Sequence, residues 1–394
     1  MRIAIFSDTY APDVNGVATH IKVLRDGLTE LGHHVLVVTA STLYKHHTLK
    51  DGVLYCPSMK LKKLYGYGLA SPLSKTRLDI VKKFNPDVIH THQEFSMGLS
   101  AIRIANALDI PFVYTLHTMY DDYVYYFAPK IFIKPAKKIF YKYVGFFGKR
   151  ASVITSPSTK ATPFFVKCNV KKNVNVVPNS IEFEDFDENL ADPLNVKKIR
   201  EQYGIPSSAT VAVFCGRLAA EKSVDVLMDT FKKHIDFEKL NLHLVIIGDG
   251  PAKDDLYEHA KKIGIDKYVT FTGRIEHKEI MPVYASGDLY VSASTTEMMS
   301  ISMLEGMAAG LPVIQKYDKE NAHQINEGVN GYNYKTGEEM AQRIEEICKM
   351  TPEEKNEMKK RVRESVAHAG PKDLAEFLLS IYQNAIDLKN IRKR

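Results

Sequence analysis

Val211-Ala212-Val213-Phe214-Cys215-Gly216-Arg217-Leu218-Ala219-Ala220-Glu221-Lys222-Ser223 runs from an uninterrupted apolar stretch through a glycine to two cations, and its reading decides the fold. An apolar run this short, without alternation, is the pattern of a parallel strand covered by helices on both faces. Gly216 ends that strand, and Ser223 to His234 follows at helical spacing with Ser223 in the N-cap position. A helix start directs backbone N–H groups and its dipole at an anion. Arg217 and Lys222 would add two positive charges there, and a pyrophosphate is the natural occupant. The alternative is that both cations pair with surface acids such as Glu221.

The same strand, loop and helix alternation continues outward. Downstream lie Leu242 to Ile247, a helix from Lys253 to Ile263, Val269 to Thr272, Leu289 to Val291, a helix from Met303 to Ala309, Val313 to Gln315 and a helix from Glu338 to Met350. Upstream lie Ile3 to Phe6, a helix from about Ala18 to Leu31, Val35 to Thr39, Val88 to His90, Phe112 to Leu116, Val153 to Ser156 and Val174 to Val177. Between them the pattern breaks at an acidic stretch around Asp185 to Pro193, read as a linker, in which Asp185-x-Asp187 is a solvated pair and not a metal site. Gly248-Asp249-Gly250-Pro251 reads as a turn. The expectation is an α/β protein of two doubly wound parallel-sheet domains facing across a cleft, with ligands at the carboxyl ends of strands. The domains would span 1–182 and 183–372, with a final amphipathic helix in 373–394 packing back toward the first.

At 394 residues, 45% hydrophobic and 25% charged, the chain has the composition of a globular protein and not of a disordered one. No apolar run approaches a membrane span, and the N-terminus opens into a strand and not an export signal. Cys56, Cys168, Cys215 and Cys348 have no metal-ligand spacing, which fits a reducing cytoplasm. The net charge of +6 is unevenly spread: residues 1–180 carry 24 Lys+Arg against 11 Asp+Glu, the remainder 29 against 36. The first half is therefore the one that would seek an anionic surface.

Thr295 to Val313 passes from a strand end through a loop into a helix, with Glu297 in the loop and Glu305 about one turn into the helix. Carboxylates of this kind bind hydroxyls, although Ser302-x-x-Glu305 also reads as a capping box. In the first half, Ser7-Asp8-Thr9-Tyr10 ends the opening strand, and Gly16 permits close backbone approach to a ligand before the next helix. His117-Thr118 ends another strand, and His90-Thr91-His92-Gln93-Glu94 a third. The lack of G-x-G-x-x-G and of a Walker sequence argues against nicotinamide and P-loop enzymes. Lys130 to Arg150 holds seven Lys/Arg and no acid. Helical spacing aligns Phe132, Ala136, Ile139, Tyr143 and Phe147 on one stripe, with Lys130, Lys134, Lys138 and Lys142 on another face. Such a helix lies on anionic lipid or packs its stripe on the sheet with lysines in water; nucleic acid fits less well.

These residues together resemble the retaining glycosyltransferases of family 4, whose architecture is GT-B, two Rossmann-like domains. The marks are Glu297-x7-Glu305, Gly216-Arg217-x-x-x-Glu221-Lys222, Asn15-Gly16-Val17 and Val177-Pro178-Asn179-Ser180-Ile181-Glu182. Glu94-Phe95-Ser96-Met97-Gly98, Tyr114-Thr115-Leu116-His117-Thr118 and Ile247-Gly248-Asp249-Gly250-Pro251 are similar to bacterial diacylglycerol glucosyltransferases. The resemblance implies a UDP-hexose donor, a diacylglycerol acceptor, no tightly bound cofactor and no metal. It implies that Arg217 and Lys222 neutralise the donor diphosphate, Glu305 binds the ribose, Glu297 the donor sugar, and Gly16 lets backbone reach the phosphate. His117 would touch the sugar, Arg274 and Ile275 would line the base pocket, and Ser300 and Ile301 would border the donor. Lys134, Lys137, Lys138, Phe140, Lys142 and Tyr143 would meet acceptor and membrane, placing the protein peripherally on the inner membrane face. Met299-Ser300 stands where the family commonly has Phe-Gly or Gln-Gly, and Asn179-Ser180-Ile181-Glu182 where Asn-Gly-Ile-Asp is usual. A soluble or polysaccharide acceptor, a sugar-nucleotide epimerase and a non-catalytic binder are the alternatives.

Overall fold

A computed structural model describes residues 1–13, 15–60, 68–119, 121, 130–182 and 192–391. The chain divides into two compact units, Met1–Ile181 with Ala369–Arg394, and Glu182–His368. The linker reading at Asp185 and Asp187, and Tyr120, Asp122 and Tyr123 after the His117 strand, lie outside the described residues.

The first unit runs β1 (Arg2–Ser7), α1 (Gly16–Glu30), β2 (His34–Ser41), β3 (Thr48–Lys50), β4 (Val53–Lys60), β5 (Gly68–Ala70), α2 (Lys75–Phe84), β6 (Val88–Thr91), α3 (Ser96–Leu108), β7 (Phe112–Thr115), α4 (Ile133–Arg150), β8 (Val153–Ser156), α5 (Ala161–Lys167) and β9 (Val174–Val176). Its sheet has the order β3-β4-β2-β1-β6-β7-β8-β9, with β5 also on β4. All pairs are parallel except those of β3 and β5 with β4. These two antiparallel strands are three residues long, too short to show a period, which is why the sequence pattern passes over them. Ile3, Ala4, Ile5 and Phe6 are wholly buried, as a strand covered on both faces must be.

The second unit runs α6 (Pro193–Gln202), β10 (Thr210–Cys215), α7 (Val224–His234), β11 (Leu242–Ile247), α8 (Lys253–Lys262), β12 (Val269–Gly273), α9 (His277–Ala285), β13 (Leu289–Ser292), α10 (Ile301–Ala308), β14 (Val313–Lys316), β15 (Gly331–Tyr334), α11 (Gly337–Cys348) and α12 (Pro352–Ser365). Its six strands are ordered β12-β11-β10-β13-β14-β15 and all parallel. In each unit one strand sits where the order reverses: β1 between β2 and β6, β10 between β11 and β13. The crevice beyond such a strand's carboxyl end is the usual ligand position in open α/β sheets. The loops entered there begin at Asp8 and Gly216.

The last helix, α13 (Pro371–Ile391), belongs to the first unit. Leu374, Ala375, Leu378, Ile381 and Tyr382 enter the same core as Ile21, Leu24 and Leu28 of α1, and burying each large aliphatic side chain contributes about 1.5–3 kcal/mol. A Cβ on Gly27 would lie 2.1 Å from the Pro371 carbonyl oxygen, so the two helices approach at a glycine. No described helix is long and apolar enough to cross a membrane.

Candidate active site

In the second unit the loop after β10 is held by backbone. Gly216 N–H donates to Ile247 O at 3.0 Å, Leu218 N–H to Asp249 O at 3.0 Å, and Ala252 N–H to Leu218 O at 3.0 Å. Gly248 has φ +140, and a Cβ there would sit 1.9 Å from Gly216 O; at Gly250 it would sit 2.3 Å from Leu218 O. Gly248-Asp249-Gly250-Pro251 is thus more than a turn: its glycines let one chain segment lie directly on the cation loop.

Arg217 pairs with Glu221 and Lys222 with Glu297. Glu221 is buried, 4% exposed, so the acid that meets Arg217 is no surface residue. Ser294 Oγ and Thr296 Oγ1 donate to the Glu221 carbonyl at 3.3 and 3.0 Å. Asn321 Nδ2 donates to the Glu297 carbonyl at 2.6 Å. Loop Glu297 is therefore anchored at its carboxylate by Lys222 and at its carbonyl by Asn321, although no helix carries it. Sequence reasoning missed Asn321, which lies beyond the next strand; only the parallel order of β13, β14 and β15 brings it close.

The capping-box reading of Ser302 and Glu305 is overturned. Helix α10 begins at Ile301, its N-cap is Ser300, and Ser300 Oγ accepts from Met303 N–H at 3.2 Å. Ser302 Oγ donates instead to Cys215 O at 2.8 Å. Glu305 is buried, and its carboxylate accepts from the Tyr284 hydroxyl at 3.1 Å. The reason is the start of the helix: moved two residues toward the N-terminus, it places Glu305 past the first turn, out of reach of its own cap. Ser223 does occupy the N-cap of α7, but with φ +53 and no side-chain cap bond. Arg274 is exposed at the end of β12 beside Glu276 at 3.6 Å, and Ile275 is half-buried. That strand lies two places from β10.

In the first unit, the carboxyl ends of β1, β6 and β7 gather polar side chains around the start of α1. Asn15 caps α1, its Oδ1 accepting from Ala18 N–H at 3.0 Å, and Gly16 is the first helical residue. His117, half-buried after β7, has Nε2 2.9 Å from Nδ1 of His92. His20 on α1 holds Asn179 Oδ1 at 3.0 Å. His20, His92 and His90 are buried. Burial, reinforced for His92 and His117 by the neighbouring imidazoles, pushes these rings down: His20 to about 4, His90 to about 3, His92 and His117 well below 6.5. All four are neutral at pH 7. Asp8 accepts from Ser96 Oγ and from Met97 N–H, and burial raises it to about 6. Glu94 accepts from the Tyr114 hydroxyl at 2.5 Å.

Helix α4 departs from the two faces expected of it. Only its C-terminal part is packed, with Val144, Gly145, Phe147 and Gly148 buried. Phe132 and Ile139, placed by the spacing on the apolar stripe, are 56% and 68% exposed, and Ile131 beside them is 81% exposed. Lys134, Lys138 and Lys142 are exposed, Phe140 is half-buried, and half-buried Lys137 meets Asp121 at 3.8 Å. Tyr143 points inward, its hydroxyl donating to Glu94 O at 2.7 Å. Helical periodicity finds a stripe but not how far along it the neighbouring elements reach.

Residues 14–185 match the Glycosyltransferase Family 4 domain and residues 195–365 match Glycosyl transferases group 1. The alpha-monoglucosyldiacylglycerol synthase of Streptococcus pneumoniae is 32% identical over 394 residues, spanning 100% of this chain and 88% of that protein. The chain belongs to glycosyltransferase family 4. A second alpha-monoglucosyldiacylglycerol synthase, from Acholeplasma laidlawii, is 30% identical over 99% of this family 4 chain and 98% of its own length. The fold is GT-B. Anabaena Alr3699/HepE, crystallised in complex with UDP and glucose, superposes with a TM-score of 0.73 at 17% identity, covering 97% of this chain and 99% of that one. The lipopolysaccharide glycosyltransferase WaaG does so with 0.67 at 16% identity, covering 96% and 99%.

Proposed function

We propose that this family 4 enzyme moves a hexose, glucose in the first instance, from UDP to the 3-hydroxyl of 1,2-diacylglycerol with retention at the sugar carbon. The observation that carries the acceptor is full-length similarity to two alpha-monoglucosyldiacylglycerol synthases. The exposed Ile131 and Phe132 just before α4, and Ile139 among its lysines, support it, because apolar side chains beside cations suit an anionic lipid surface. The Anabaena protein's complex with UDP-glucose supports the donor.

In this reading the second unit holds the nucleotide. Arg217 and Lys222 take the diphosphate, with Glu221 and Glu297 holding the two cations in position beforehand. Glu305 binds the ribose, Glu297 a sugar hydroxyl, Arg274 and Ile275 the base, and Ser300 and Ile301 border the donor. The first unit supplies His117 to the sugar and the backbone at Gly16 to the phosphate. Neutral His117 can donate or accept a hydrogen bond without adding charge. The sugar C1–O bond to the phosphate breaks, UDP leaves with the electron pair, and the acceptor oxygen bonds the same face. Its proton passes to the departing phosphate oxygen. Orientation and charge stabilisation then supply most of the rate, and no metal or other cofactor takes part. The protein would work peripherally at the inner membrane face, and nucleic acid is no partner.

The test is mass spectrometry of lipids after incubating the enzyme with several nucleotide sugars and diacylglycerol in anionic vesicles. A monohexosyl-diacylglycerol from UDP-glucose is expected. Transfer indifferent to vesicles would overturn the lipid acceptor, and no transfer from any UDP-sugar would overturn the donor.

A further inference from the structure

Three imidazoles from three different elements converge in the first unit. His20 comes from α1, His92 from the end of β6 and His117 from the end of β7. Their ring centroids form a nearly equilateral triangle, with sides of 5.3, 4.9 and 5.2 Å. One nitrogen of each lies within 4.8 Å of the other two. We propose that His20, His92 and His117 form a site for a nitrogen-preferring divalent transition-metal ion such as Zn2+.

The surrounding hydrogen bonds separate ligands from supports. Asn179 Oδ1 can only accept, so Nδ1 of His20 carries the proton and Nε2 keeps its lone pair. A ligating histidine held through its second nitrogen is the usual arrangement around such ions. Nδ1 of His92 and Nε2 of His117 face each other at 2.9 Å as the other two donors, which leaves His92 Nε2 to carry that ring's proton. His90, although only 4.0 Å from His92, is excluded: its Nδ1 meets the Tyr382 hydroxyl at 2.8 Å and its Nε2 meets Thr115 Oγ1 at 2.6 Å. The rings are held neutral, the form that binds metal. An all-nitrogen donor set selects Zn2+ or Cu2+ over Mg2+ or Ca2+. The 2.9 Å between His92 and His117 would have to widen by a few tenths of an ångström, since two nitrogens at about 2.0–2.1 Å from a tetrahedral ion stand farther apart. Half-buried His117 leaves the remaining coordination position on the solvent side.

The proposed transfer has no use for this ion. By taking the nitrogen that His117 would offer to the sugar, the ion would instead hold the enzyme inactive until a chelator removed it. That consequence rests on the proposed role of His117; the site itself does not.

The probe is Co2+ titrated into the chelator-treated full chain and followed by visible absorption. The expected result is the intense d–d spectrum of a four-coordinate, nitrogen-ligated ion at one equivalent, displaced by Zn2+. His117→Gln at the half-buried corner should abolish it, as should His20→Gln and His92→Gln where thermal melts show folded protein. Asn179→Ala should weaken it about tenfold. His259→Gln, in the other unit beside Asp229, should leave it unchanged. Absence of the spectrum at any ratio, or its survival in His117→Gln, overturns the site. If Co2+ binds as described while Zn2+ fails to slow hexose transfer, the ion site stands and the sugar contact of His117 is wrong.

Discussion

The two units place very different electrostatics at equivalent points of their sheets. Beyond β10 the second unit gathers full charges, Arg217 with Glu221 and Lys222 with Glu297, of which Arg217, Lys222 and Glu297 are partly open to solvent. Around the ends of β1, β6 and β7 the first unit gathers buried imidazoles that burial keeps uncharged. A diphosphate needs fixed positive charge, whereas a sugar carbon that develops positive charge in the transition state would be opposed by it, so groups beside that carbon must add no positive charge. One doubly wound scaffold can therefore be charged or neutral at its ligand edge, depending on which side chains end its strands.

That contrast can be broken by removing one cation and one imidazole separately. Lys222→Ala should lower kcat/KM by about 10²–10³-fold, with UDP affinity falling alongside in calorimetry; unchanged UDP affinity would remove the charged half of the contrast. His117→Ala should lower turnover by about 10²-fold while UDP binds as before. A parallel loss of UDP affinity would mean that the neutral half also holds the nucleotide. Gly248→Ala should destabilise the second unit by about 3 kcal/mol in urea unfolding, because its Cβ would collide with Gly216 O at a φ of +140; a neutral result would show that the cation loop is not pinned from below.

The mildest test uses pH. His20, His90, His92 and His117 have folded pKa values below 6.5, so their contribution is present above pH 6.5 and is lost as pH falls toward 4 and below. Asp8, raised to about 6, works the other way: its contribution is present below pH 4 and is lost as pH rises through 6. His33 and His47 are lowered as well and Asp13 is raised, so the imidazoles outnumber the carboxyls and acid destabilises the first unit. Among the described residues the second unit has one such ring, His243, held at about 4. Calorimetry from pH 7 to 4.5 should show the first unit's transition falling farther, and equal falls would erase the distinction.

Particular residues show what could be read in advance. The apolar runs at Ile3, Val211 and Leu242 mark strands because burial on both faces leaves no alternation to misread. Arg217, Lys222, Glu297 and Glu305 stand out by spacing. Their partners do not: Tyr284 meets Glu305 and Asn321 meets Glu297 across elements between which no local pattern runs. His20 reads as one polar residue on a mostly apolar helix face until β6 and β7 bring His92 and His117 beside it. The exposed end of α4 was equally illegible, because periodicity records which residues share a face and not whether anything covers it.

By itself the sequence determined the alternation of buried strands and helices, the glycines at the turns and the chemical types at the strand ends. Those are local properties, set by side-chain period and backbone sterics within a few residues. The tertiary structure alone decided that Ser300 and not Ser302 caps α10, that α13 closes the core of the first unit against α1, and that three histidines from distant segments lie side by side. Such contacts depend on strand order and helix docking, and burial energy selects these over the whole chain rather than within any window of it.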